Sequence, residues 1–195
     1  MSEPAGPRTF REKYGFVLTP RWLGLIGFAI VASAVCVFLG QWQWDRYEEK
    51  AGRLARMDSA WDSPTLTIDR ALEGGLAVTE ASEWRRIDLA GEYIGEALVR
   101  NRPVASRPVY HQVGVFLAER DAGAVAVAVN RGWVYVDDPV PALPGGRQVV
   151  EGRLRIDEPA TGRPSPVGQV YTYNAGDVVA SAGLEAQLEG VPVLQ

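Results

Sequence analysis

At 195 residues, with 47% hydrophobic and 23% charged residues, the chain is composed as a core-forming protein and not as a disordered one. A net charge of -4 offers no general attraction to polyphosphate, which sets nucleic-acid binding aside. One cysteine, Cys36, and one histidine, His111, exclude an internal disulfide framework and any cysteine-rich or multi-histidine metal site made by this chain alone.

Residues 1–21 read as a short cytoplasmic segment bearing Arg8, Arg11, Lys13 and Arg21. Residues 22–40, WLGLIGFAIVASAVCVFLG, carry no charge. As a helix they rise roughly 28 Å against a hydrocarbon core of about 30 Å. Ten of them are Leu, Ile, Val or Phe, so insertion is favourable with no ionic penalty to offset. Small Ala32, Ser33 and Ala34 would suit a signal protease, but the run stays apolar to Leu39, so a retained transmembrane helix is expected. A lipoprotein site at Cys36 is disfavoured by bulky Val35 before it.

Ala29, Ala32, Ser33, Cys36 and Gly40 recur at three- and four-residue spacing and form a helix-packing side that another helix could approach. The alternative is that small residues merely dilute the apolar run. Arg46, Lys50, Arg53 and Arg56 after the span balance the cations before it, so charge counting does not set orientation. The ordinary arrangement has the N-terminus cytoplasmic and the long domain extracytoplasmic, in the cell (plasma) membrane.

The span leaves the hydrocarbon through LGQWQWDRYEEK, residues 39–50, and residues 41–64 read as a helical stalk. Trp42 and Trp44 suit the membrane interface, and Arg46, one turn beyond Trp42, can meet lipid phosphate or a carboxylate. From residue 65 to residue 195 the pattern turns to β-branched alternation. Candidate strands are RRIDLAGEYI from Arg85, ALVRNRPV from Ala97, VYHQVGVFLAE from Val109, AVAVAVNRGWVYV from Ala124 and RQVVEGRLRI from Arg147. Proline-rich loops at 137–146 and 158–168 separate or follow them, and a short surface helix fits within 175–190. The expected class is therefore membrane-anchored α+β: an N-terminal transmembrane helix, then a mainly antiparallel β-sheet or partly closed barrel domain.

LGQWQWDRYEEK is similar to the Leu-Gly-x-Trp-Gln-x-x-Arg-x-x-x-Lys pattern of the Surfeit locus protein one (Surf-one/Shy-one) family, and VNRGWV, residues 129–134, resembles a second family motif. Together, in this order, they make the chain resemble a bacterial member from about Trp22 onward. The resemblance implies a non-enzymatic assembly factor for haem-copper cytochrome c oxidase, a chaperone of the respiratory chain that assists haem a delivery or insertion. Its partners would be the oxidase catalytic subunit, or a respiratory supercomplex, and membrane lipid. The resemblance further implies a second transmembrane helix after the β domain, holding the histidine linked to transient haem a binding. This sequence stops at VPVLQ where that helix would begin, so the chain as given lacks that ligand and a missing C-terminal segment is expected. The alternative function is a stable accessory subunit of a respiratory oxidase complex without its own haem; a third is a signal-anchored binding domain for a small ligand.

With that resemblance, Trp42, Trp44, Arg46 and Arg131 become candidate haem or partner contacts, the rings by packing on a porphyrin and the guanidiniums by pairing with propionates. The plainer reading leaves the tryptophans at the interface, Arg46 on lipid or a neighbouring side chain, and Asn130, Arg131 and Gly132 at a strand bulge. His111 alternates within a strand and reads as solvent-facing or singly hydrogen-bonded. A Ser106, His111 and Asp121 triad lacks any nucleophile-elbow context.

Overall fold

A computed structural model of the chain describes residues 15 and 19–194. Arg8, Arg11, Lys13 and most of the expected cytoplasmic segment lie outside the described residues. The chain divides into two compact units, Met1–Ala55 and Arg56–Gln195.

The first unit carries most of helix α1 (Pro20–Trp61), 42 residues without a break. Proline suits a first helical position because its missing N–H would have no partner there, and the Thr19 carbonyl accepts the Leu23 N–H at 3.0 Å. No residue of α1 is buried, and the helix is long and apolar enough to cross a membrane. At roughly 63 Å it is about twice as long as a bilayer core requires. Beyond Gly40 the charged continuation is held by pairs along its own surface: Gln41 donates to Asp45 at 3.1 Å, and Glu49 meets Arg46 at 3.2 Å and Arg53 at 3.6 Å. The helix stops at Trp61, before Pro64, with the Ser63 hydroxyl donating to the Ser59 carbonyl.

In the second unit a short helix α2 (Ile68–Ala71) is capped by the Thr67 hydroxyl, which accepts the Arg70 N–H. The sheet follows: β1 (Arg86–Val99), β2 (Val109–Arg120), β3 (Gly123–Tyr135), β4 (Arg147–Arg153), β5 (Gln169–Val170), then helix α3 (Ala175–Ser181) and β6 (Val193–Leu194). Strand order is β4-β1-β2-β3-β6, with β5 pairing β1 beyond β4. The β1–β2, β1–β4 and β2–β3 pairs are antiparallel, while β5 on β1 and β6 on β3 are parallel. The mainly antiparallel sheet expected is found, with two short parallel pairings that make it mixed. Two expectations are corrected: the sheet does not close into a barrel, and the candidates beginning at Arg85 and Ala97 are one strand.

That strand stays continuous by means of a bulge. Tyr93 opposes Phe116 but Gly95 opposes Val115, so Ile94 is an extra residue in β1. Because side chains alternate with period two, one inserted residue exchanges the faces. Ile87 and Leu89 before it join Phe116, Ala118, Val125 and Val127 on the sheet face covered by Leu66 and Ile68. Ala97 and Val99 after it join Val113, Val115 and Ala126 on the opposite face, covered by Val178, Val179, Leu184 and Leu188. Gly95 lets Leu184 approach closely, since a Cβ there would lie 2.8 Å from Leu184 Cδ1 and displace the end of that side chain.

Candidate functional site

A second bulge shapes the most polar part of the sheet. His111 opposes Trp133 while Val113 opposes Asn130, so three residues of β3 span what two span on β2. The stretch Asn130, Arg131, Gly132 supplies the extra residue. Gly132 takes φ +115°, which a side chain would resist, and the Asn130 side-chain oxygen accepts the Gly132 N–H at 2.9 Å. The bulge expected from this motif is present.

Its effect is to set Arg131 on the first face beside β1. The guanidinium lies 5.4 Å from the Tyr93 ring, 3.5 Å from a Glu96 oxygen and 3.3 Å from the Ala142 carbonyl. Both polar distances are long for charged pairs, so the fork is loosely held although its side chain is only 17% exposed. Gly114 makes the arrangement possible: a Cβ there would sit 2.6 Å from the Tyr93 ring and 3.4 Å from Arg131 Cδ. Burial pushes the Tyr93 phenol above its ordinary pKa, opposed by the Arg131 charge.

Arg131 is part of the lining of a cavity of about 560 Å³, which also includes Leu89, Val127, Val129, Arg153 and Arg155. An apolar floor with a few convergent polar groups suits an amphipathic ligand. Arg153 donates to the Trp84 carbonyl at 2.8 Å and lies 3.5 Å from the Trp61 ring centre. Arg155 lies 3.9 Å from the Trp84 ring centre and 3.3 Å from a Glu83 oxygen. Such stacking holds a guanidinium by its flat face and leaves edge N–H groups for carboxylates. Of the three acids on the lining, Glu151 meets Arg86 at 3.2 Å, Glu158 pairs with Arg102 and accepts the Tyr173 N–H, and Asp157 accepts the Ala175 N–H at 2.7 Å. The last two carboxylates are thereby engaged with the segment that leads into α3.

His111 does not line this cavity. It meets the Tyr173 ring edge-on at 5.8 Å, and its pKa is lowered, chiefly by burial, so the ring is neutral at pH 7. The Tyr173 phenol is raised, again chiefly by burial. Ser106 precedes β2 and Asp121 follows it; twelve residues of strand separate them by about 40 Å, so no triad forms. Among the described residues no His, Cys, Asp and Glu gather in a group able to hold a metal ion.

Trp42, Trp44 and Arg46 are exposed on α1, in the other unit from Arg131. The Trp44 ring lies 5.9 Å from Tyr47, and Arg46 is paired with Glu49. Ala29, Ser33, Cys36 and Gly40 are also exposed and Ala32 is half-buried, with nothing within 4 Å of where a Gly40 Cβ would be. Sequence reasoning found Arg131 but missed Tyr93, Glu96, Arg153 and Arg155. A lone glycine in an apolar strand, Gly114, was the available signal for close side-chain approach.

A family model described as the SURF1 family matches residues 30–195. A search of curated proteins finds no match.

Proposed function

Because the chain belongs to the SURF1 family, which is linked to cytochrome oxidase assembly, we propose that it is a non-enzymatic factor assisting delivery or insertion of haem a into the oxidase catalytic subunit. Family membership over residues 30–195 carries this reading. The anchor would be residues 22–40 of α1 in the plasma membrane of a bacterium, with the β domain outside and the N-terminus in the cytoplasm.

Haem a is cargo here, and the cavity suits its periphery better than its iron. Leu89, Val127 and Val129 offer apolar surface, and Arg131, Arg153 and Arg155 offer forks for propionates. No imidazole lines the cavity, and burial keeps Tyr93 and Tyr173 as neutral phenols, which are poor iron ligands. The domain would therefore grip the rim of the macrocycle and leave the iron to a ligand from elsewhere. The small-residue side of α1 and the exposed Trp42 and Trp44 would face the oxidase within the bilayer.

The decisive experiment is deletion of the gene followed by difference spectra of membranes. Haem a absorbance should fall while cytochrome b and c bands persist. Normal haem a content and oxidase activity would reject the reading, whereas full haem a with lower recovery of intact respiratory complex would point to a stable accessory subunit.

A further inference from the structure

A second cleft, of about 390 Å³, lies under the β1–β2 connection and has a different character. It is lined by Arg100, Asn101, Arg102, Ser106 and Tyr110, closed by Pro103, Pro108, Val109 and Val136, and has no carboxylate in its wall. All the side-chain polar groups named there can donate hydrogen bonds, and two are permanent cations. We propose that this cleft binds a phosphate group, either of a phospholipid headgroup or of a soluble phosphate.

The chemistry favours phosphate because a tetrahedral oxyanion accepts bonds from many directions, whereas a carboxylate presents two oxygens in one plane. The Arg100 Nε–H is buried with no hydrogen-bond partner, as are those of Arg85 and Arg120, so the bonds Arg100 offers an anion in the cleft come from the outer N–H groups of its fork. Arg102 is partly neutralised by Glu158 but keeps further donors, since one guanidinium carries five. Both guanidiniums lie over tyrosine rings, Arg100 5.6 Å from Tyr171 and Arg102 5.2 Å from Tyr173, which sets the planes of their forks. The loop is held in an uncommon shape: Asn101, Ala105 and Ser106 all take positive φ, 63°, 48° and 65°, and Val104 and Arg107 exchange backbone bonds at 3.0 and 2.9 Å. Non-glycine residues in this region cost energy and persist where the surroundings hold them, often at ligand clamps.

The test uses the full chain in a neutral detergent, titrated with inorganic phosphate and with glycerophosphoglycerol (a deacylated phospholipid headgroup), each with and without competing acetate, and followed by phosphorus NMR line broadening of the probe. Saturable broadening by at least one phosphate probe is expected. Arg100→Gln should weaken it roughly tenfold or more, and Tyr110→Phe about threefold, as lost charged and neutral hydrogen bonds would. Circular dichroism and melting temperature of both variants should match wild type. Tighter binding of glycerophosphoglycerol assigns a lipid headgroup, and tighter binding of inorganic phosphate a soluble ligand. Absence of saturation, equal saturation of folded Arg100→Gln, or equally effective competition by acetate would overturn the proposal.

Discussion

The Tyr93 ring and the Arg131 guanidinium come within 5.4 Å of each other beside Gly114, on the face of the sheet that bears the larger cavity. A methyl group at residue 114 would sit 2.6 Å from the ring. Gly114→Ala should therefore destabilise the domain by about 1–3 kcal/mol through overpacking. Thermal melts would measure the loss, and Tyr93→Ala combined with Gly114→Ala should cost less than the two single changes added. Strict additivity would mean the ring is not what the methyl meets.

Arg131→Lys keeps a positive charge within reach of Glu96 and removes the planar fork. Melting temperature should hold within a few degrees, while the haem a content of the oxidase falls in a strain carrying only the variant. Wild-type haem a content would reduce Arg131 to a packing residue.

Trp42→Ala with Arg46→Ala should weaken co-purification with oxidase more than it weakens recovery of the protein in membranes. An apolar run that ends at Gly40 does not require these two side chains for insertion. Parallel loss in both measurements would make them simple anchors.

Asp157 provides a pH test. Its carboxyl pKa is raised by burial, opposed by the bond from the Ala175 N–H and reinforced by the charge of Asp177. A folded-state pKa above the unfolded value means that the group favours the fold while protonated and that this advantage is lost as pH rises through the folded pKa. Asp157→Asn should thus melt at or above wild type at pH 7, with the gap closing at about pH 3, below the ordinary aspartate pKa. A variant less stable than wild type at pH 7 would show that the carboxylate's bond to Ala175 outweighs its burial.

Much of this architecture was legible in the residues. The uncharged run fixed the helix, and Gly132 after Asn130 announced the β3 bulge, because both signals are local. The continuity of β1 was not, since Gly95 reads as a strand end unless Ile94 is known to bulge and Leu184 to approach from far along the chain. Strands β5 and β6, two residues each, have no periodicity to read and exist only by pairing in parallel with β1 and β3. The guanidiniums of Arg153 and Arg155 owe their place to Trp61 and Trp84, which are distant in sequence, and no spacing rule links them.

The extra residue in β1 also governs how the domain comes apart. One strand gives its first half to one hydrophobic cluster and its second half to the other, so neither cluster can open without pulling on the same hydrogen-bonded backbone. The two halves of the core then behave as a single cooperative unit. Amide hydrogens along β1 on both sides of Ile94 should exchange at one common, slowest rate, set by opening of the whole sheet. Two well-separated exchange classes would mean that the bulge acts as a hinge between independent cores.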